Sequence, residues 1–253
     1  MSSTTPLTDA INALTTYANE TTGKNDTNLS DAVGSLVDGY GGGGGGNPNE
    51  NLVKWADGTL TALDLTGAQT ISARFRTVSI GANFTVYAPD ATKVDSYAFH
   101  QSANLIGFDG KNVQKIGTQA FYNTRFPLIV LPSFNSVLNA NTFNQNTALV
   151  VADFGQPTSY SPSCFGNCKK LTTVIIRKSD SITTLQNVNT FTQTPFASDG
   201  TGGTLYVPSA LISSYQAATN WSTILGYENN SIVAIEGSQY ENHYADGTPI
   251  STT

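Results

Sequence analysis

Ala98-Phe99-His100-Gln101, Ala120-Phe121-Tyr122-Asn123, Thr142-Phe143-Asn144-Gln145 and Cys164-Phe165-Gly166-Asn167 are four versions of one phrase, set 22 residues apart. In each, a small residue precedes the phenylalanine and a carboxamide follows it by two positions. Five residues ahead of each phenylalanine stands a large apolar or aromatic side chain: Val94, Ile116, Leu138, Tyr160. A globular core rarely asks for the same side chain at a fixed interval four times running. A solenoid does, because each coil stacks on the last and its buried positions recur. An extended apolar run follows each phenylalanine: Leu105-Ile106-Gly107-Phe108, then 126–131, 149–154 and 171–176. The register therefore predicts a mostly β chain with short helices, wound as a solenoid over residues 91–207.

The fourth coil reads Cys164-Phe165-Gly166-Asn167-Cys168-Lys169-Lys170-Leu171-Thr172-Thr173-Val174-Ile175-Ile176, and the second ends its run on Leu131-Pro132. In these residues the chain resembles the BspA-like leucine-rich repeats, whose unit is an apolar-x4-Ala-Phe-x-x-Cys-x-x-Leu-x-x-Ile-x-Ile-Pro type of sentence. The resemblance implies a leucine-rich-repeat solenoid and makes Cys168 a packing position. It covers roughly half the chain and bears on fold more than on function. Thr204-Leu205-Tyr206-Val207-Pro208, then 210–221 and 232–235, resemble the family's usual ending: a last strand, a covering helix and a final strand. Residues 187–203 break the period and predict a longer loop.

Working outward, Asn51 to Tyr87 has period-two apolar spacing around Asp57-Gly58, a pair that tolerates positive φ and favours a hairpin. Strands are expected over Ile71–Phe75 and Val78–Val86, and residues 51–90 as a β cap over the first coil. Trp55-Ala56-Asp57-Gly58-Thr59 has an echo in Tyr244-Ala245-Asp246-Gly247-Thr248, which predicts a second hairpin within a C-terminal cap of 208–253.

The faces of the repeat strands follow from alternation. With Leu105, Phe126, Leu149 and Leu171 pointing inward, the first outward column is expected to be Gly107, Leu128, Val151 and Thr173. The second is Asp109, Val130, Asp153 and Ile175. Leu128, Val130, Val151 and Ile175 would then form an exposed apolar patch, and such patches mark interfaces. The alternative is that the chain's own N-terminal segment covers them. Asp109, Leu128, Val130, Val151, Asp153, Thr173 and Ile175 are the candidate partner-binding residues.

Catalytic chemistry finds little purchase. Asp109 and Asp153 share a column about 10 Å apart at the strand spacing, which brings an inverting glycosidase to mind. No neighbouring group would raise one acid, so two surface aspartates are the simpler reading. His100 has no nucleophile or acid beside it in sequence, and no Gly-x-Ser-x-Gly or His-Glu-x-x-His motif occurs. Cys164 and Cys168 cannot hold zinc without other ligands, and the two histidines lie far off in sequence. They read as packing residues, with a disulfide or metal the alternative. No enzyme activity, cofactor or metal is expected.

Charged residues make up only 12% of the chain and the formal charge is −6. That balance argues against nucleic acid and anionic membranes, which select basic patches. No apolar run reaches membrane-spanning length, so no membrane insertion is expected. The first ten residues lack the basic start and apolar stretch of a secretory signal.

Residues 1–40 read as two short amphipathic helices, one with Leu7, Ile11 and Leu14 on a stripe and the other with Leu29, Val33 and Leu36. Helices this short need a partner for those stripes, so they predict a docking or oligomerisation segment; a loosely ordered leader is the alternative. Gly41 to Gly46 lack the strand and the Lys-Ser/Thr of a phosphate loop, and 41–50 read as a flexible linker spanning about 13 Å. Leu7-Thr8-Asp9-Ala10-Ile11-Asn12-Ala13-Leu14, Thr22-Gly23-Lys24 and Leu29-Ser30-Asp31-Ala32-Val33, ahead of the glycines, resemble the leader on tail, fibre and baseplate proteins of phages and prophages of Gram-positive bacteria. That resemblance implies a virion protein assembled in the host cytoplasm, docked to other virion proteins by residues 1–40. Its repeat head would recognise a host surface protein or glycan. A fibre would bring a homotrimer, which the repeat pattern itself does not show. A BspA-like surface adhesin is the second reading, and a glycan depolymerase a remote third.

Overall fold

The computed structural model describes residues 54–56, 59–76 and 83–250. The expected helical pair, the glycine linker and the docking residues Leu7, Ile11, Leu14, Leu29, Val33 and Leu36 lie outside them. The chain winds as a stack of coils, of which those from β2 to β13 each contribute one longer and one shorter strand. The longer strands are β2 (Thr59–Asp64), β4 (Phe84–Tyr87), β6 (Leu105–Asp109), β8 (Leu128–Leu131), β10 (Val151–Phe154), β12 (Thr173–Ile176), β14 (Thr204–Val207) and β15 (Ser231–Ala234). They form two parallel sheets in the orders β2-β4-β6 and β8-β10-β12-β14-β15, and β1 (Lys54–Ala56) adds an antiparallel edge to β2. Between β6 and β8 the Arg125 N–H still donates to the Leu105 carbonyl at 2.9 Å, so the coils stay bonded across the gap.

The shorter strands make a second side. They are β3 (Thr70–Ile71), β5 (Lys93–Val94), β7 (Lys115–Ile116), β9 (Val137–Leu138), β11 (Ser159–Tyr160) and β13 (Thr184–Leu185). These too pair in parallel, in two sets of three. Their second residues, among them Val94, Ile116, Leu138 and Tyr160, are buried, which is why the sequence repeats a large apolar residue there.

The third side carries the phenylalanines and has no strands. Phe75, Phe99, Phe121, Phe143, Phe165 and Phe191 stack in one continuous column, with successive ring centroids 5.6, 5.6, 5.5, 5.9 and 5.7 Å apart and near-parallel planes. The spacing exceeds the ~4.8 Å between strands, so each ring is offset from the next, the favourable arrangement for aromatic quadrupoles. The sequence showed four members of this column. The outer two are displaced by insertions, Phe75 standing 24 residues before Phe99 and Phe191 standing 26 after Phe165. The irregular segment expected at 187–203 thus begins with another rung, a 3-10 turn over Val188–Phe191.

Backbone conformation explains the carboxamide column. Gln101, Asn123, Gln145, Asn167 and Gln193 all have φ between 55° and 64°, and so do Tyr97, Gln119, Asn141 and Ser163 two residues before their phenylalanines. Left-handed residues on both sides of the ring turn the N–H groups along the solenoid axis. Phe121 and Asn123 donate to the carbonyls of Thr142 and Asn144, and Phe143 and Gln145 to those of Cys164 and Gly166, at 2.8–3.0 Å. Asparagine tolerates this conformation better than most residues with a Cβ. The loops therefore form a hydrogen-bond ladder from coil to coil, as the strands do on the other sides.

Two expectations change at the ends. Among the described residues Ile71–Phe75 is not one strand: it divides into β3 and a 3-10 turn, Ala73–Phe75, that brings Phe75 under Phe99. The single covering helix at 210–221 is two, α1 (Ile212–Ala217) and α2 (Trp221–Leu225), parted where Asn220 takes φ 65°. They stand where the next short strand would be. Trp221 Nε1 donates to the Thr183 carbonyl at 2.7 Å, Asn220 Nδ2 to that of Leu185 at 2.8 Å, and the Tyr215 hydroxyl accepts from the Thr183 N–H at 2.9 Å. Thr183 and Leu185 thus find partners in the helices without another coil.

Truncating a middle ring should be costly: Phe143→Ala is expected to lower stability in urea by about 3–5 kcal/mol. Gln145→Gly removes a left-handed penalty of ~1–2 kcal/mol against a glycine entropy cost of ~0.5–1, so it should raise stability by about 0.5–1 kcal/mol, while Gln145→Val should lower it.

Candidate recognition surface

The outward face of the longer strands carries the residues that the sequence offered for partner binding. In β6 the residue Ile106 is bulged out, since Phe84 pairs with Leu105 and Thr85 with Gly107. That extra residue is why an inward Leu105 is followed two positions later by an outward Gly107. Register aligns Leu128, Val151, Thr173, Thr204 and Ser231 in one outward row, and Val130, Asp153, Ile175, Tyr206 and Val233 in the next. In the first row Leu128, Val151, Thr173 and Thr204 are half-buried, as is Gly107, and Ser231 is exposed.

The second row departs from expectation. Asp109 is exposed, but Val130 is 8% exposed, Asp153 1% and Ile175 fully buried. The apolar patch is not open, and Asp153 is not a surface aspartate. Over Asp153 the cover is the C-terminal tail, residues 236–250; the N-terminal segment held out as the alternative lies outside the described residues. The tail returns across the strand ends and closes on the expected hairpin, with His243 opposite Pro249 and the Tyr244 N–H donating to the Thr248 carbonyl at 2.9 Å.

One ion pair fastens it. Arg177, the residue after β12, donates from Nε and Nη2 to the two carboxylate oxygens of Asp153, both at 2.7 Å. The same guanidinium donates to the carbonyls of Tyr240 at 2.9 Å and His243 at 3.0 Å. Its carbon lies 4.8 Å from the centre of the Tyr244 ring. Asp153 also accepts from the Ala245 N–H at 2.9 Å. Burial pushes the Asp153 carboxyl upward, and the Arg177 guanidinium and Ala245 N–H act against that shift. Further along, Lys111 reaches the Thr248 hydroxyl at 3.3 Å and the Asp246 carboxylate at 3.9 Å. Tyr206 packs edge-on against Tyr240, their centroids 4.9 Å apart. Beside the clamp an open cleft of about 370 Å³ separates the tail from the strand-end turns, with Gln156, Glu236, Glu241 and Tyr244 among its walls. The hold is thus chiefly polar.

Arg177 was not among the residues the sequence singled out. Its signal was available: a lone arginine directly after the apolar run Val174-Ile175-Ile176, in the same chain as an aspartate placed inside another repeat strand. Only the tail's return, a contact across more than 60 residues, gives the pair its purpose.

The groups considered for chemistry are structural in their surroundings. Asp109 and Asp153 do not act as a pair, one being exposed and the other held by Arg177. Cys164 and Cys168 are free and buried. Burial pushes both thiols up, and the Cys168 thiol donates to the Phe143 carbonyl at 3.1 Å, which suits a packing position and not a thiolate. His100 stacks on Tyr122 with centroids 4.9 Å apart; burial, then the Arg76 charge, lowers its pKa against the Gln119 side chain. Among the described residues no cluster of three metal-ligating side chains occurs, and no helix is long and apolar enough to cross a membrane.

Comparison with known families agrees with this architecture. Residues 78–197 match the BspA type leucine rich repeat region, in six copies. Over those residues the solenoid is similar to leucine-rich repeats of the BspA type. The match ends one residue past Phe196; β14 adds one more strand before α1, α2 and the tail take over as cap and cover. No curated protein matches the chain. Leucine-rich repeats typically serve as protein-interaction scaffolds, which fits the open first row better than a reaction site.

Removing the guanidinium should leave Asp153 buried and unpaired and free the tail. Arg177→Ala is expected to cost about 3–5 kcal/mol and to speed hydrogen exchange at the Ala245 amide; Arg177→Lys, with a single ammonium, should recover only part of either.

Proposed function

We propose that this chain is a non-catalytic recognition module of a phage or prophage virion. On this reading residues 1–40 dock it to other virion proteins through Leu7, Ile11, Leu14, Leu29, Val33 and Leu36, and the repeat head contacts a host surface protein or glycan. The observation that carries the recognition reading is the first outward row. Gly107, Leu128, Val151 and Thr173 form an uncharged, half-buried strip across successive strands, next to a row the tail has covered. What supports the virion reading is the leader's resemblance to tail, fibre and baseplate proteins, together with the glycine tract that would let head and dock reorient. A homotrimer would suit a fibre.

A bacterial BspA-like adhesin is the second reading, and the repeat match favours it specifically. The two differ in where the protein resides. A depolymerase draws no support from Asp109 and Asp153, since Arg177 already holds the second.

Mass spectrometry of purified particles should find the chain in the virion and lose it when residues 1–46 are deleted. Its presence in the cell envelope and absence from particles would favour the adhesin. Leu128→Glu with Val151→Glu should weaken attachment of the full chain to host cells at least tenfold while leaving the unfolding midpoint within a few degrees. Unchanged attachment would remove the strip from the account.

A further inference from the structure

The two hairpins share more than an Asp-Gly turn requires. Trp55-Ala56-Asp57-Gly58-Thr59 and Tyr244-Ala245-Asp246-Gly247-Thr248 agree at four positions and keep an aromatic ring at the fifth. A hairpin turn explains the aspartate and the glycine. In the tail, the remaining positions meet the clamp. The Tyr244 ring lies on Arg177, the Ala245 N–H donates to Asp153, and the Thr248 hydroxyl accepts from Lys111. Asp246 adds its carboxylate toward Lys111 and accepts from the Thr248 N–H at 2.9 Å, while Gly247 supplies φ 82°. Just ahead of the motif, Arg177 reads the His243 carbonyl, a contact that any residue can provide. The pentapeptide therefore supplies the tail's side-chain contacts with Arg177 and Lys111 and its N–H to Asp153, beside the separate hold on Tyr240.

The N-terminal copy is also an antiparallel hairpin, with β1 and β2 pairing Trp55 with Leu60 and Ala56 with Thr59. The tail's hairpin is one residue wider. Tryptophan in place of tyrosine offers the stronger face to a guanidinium, and Asp57 carries the charge that Lys111 meets in Asp246. We propose that Arg177, Asp153 and Lys111 form a receptor for aromatic-Ala-Asp-Gly-Thr hairpins, filled within the chain by its own tail and between chains by residues 55–59 of a second copy. The contact joins different surfaces of the two copies, so it is heterologous and generates a ring or an open row. The tethered tail has the advantage of high effective concentration. Exchange between copies thus belongs to settings where copies are crowded together or the tail is loosened.

A fluorescein-labelled peptide of residues 51–62 can be titrated into the full chain carrying Tyr244→Ala and Asp246→Ala, with anisotropy as the readout. Saturable binding is expected, weakened at least tenfold by Trp55→Ala in the peptide or by Lys111→Ala in the chain, and displaced by an unlabelled peptide of residues 241–250. The chain with its tail intact should bind at least tenfold more weakly. Should the double substitution unfold the chain by circular dichroism, Tyr244→Ala alone takes its place. Absence of binding to the loosened chain overturns the proposal. So does binding indifferent to Lys111 and Trp55, or binding that the tail peptide fails to displace, which would assign the peptide to another surface.

Discussion

Coil-to-coil stacking of phenylalanine is the constraint on which the rest of this structure depends. A repeat with four to six residues in its longer strand and two in its shorter one has too little sheet to fix its own register. The ring column does so instead, because each phenylalanine must sit over the last whatever the length of chain between them. The end rungs make the point. Insertions of two residues before Phe99 and four before Phe191 are absorbed in loops, and the rings still meet at 5.6 and 5.7 Å. Left-handed residues on either side then convert a ring stack into a hydrogen-bonded wall, so that all three sides of the prism are tied from coil to coil.

From that wall follows the shape of the working surface. Locking the rings inward on one side sets which strand positions face out on another, and the bulge at Ile106 fixes the parity in β6. The outward rows are then a property of the repeat, not of any one coil. One row is left at the surface. The other, richer in branched apolar side chains, is closed at Val130, Asp153 and Ile175, where the tail returns. The clamp that closes it consists of a carboxylate and a guanidinium from adjacent strands, a pair whose burial is worthwhile only because the tail supplies two carbonyls and an N–H to complete it.

Much of this was legible in the residues. The 22-residue register of Phe99, Phe121, Phe143 and Phe165 states the solenoid, and Cys168 reads as packing once its column is seen. The tail's Asp-Gly hairpin and the β1–β2 pairing around the first Asp-Gly were visible for a local reason, since turn chemistry resides in a few adjacent residues. Phe75 and Phe191 were hidden because a period search penalises insertions that the stack ignores. Burial of Val130, Asp153 and Ile175 was hidden for a different reason. Alternation tells which way a side chain points, but not whether a segment ninety residues away returns to cover it.

Native-state hydrogen exchange on the full chain tests the central claim most directly, that the phenylalanine side is a third ladder and not a set of loops. The account predicts that the amides of Phe121, Asn123, Phe143 and Gln145 exchange as slowly as those of Ile129 and Ala152 in the neighbouring strands. Fast exchange at these four amides with the strands still protected would contradict it.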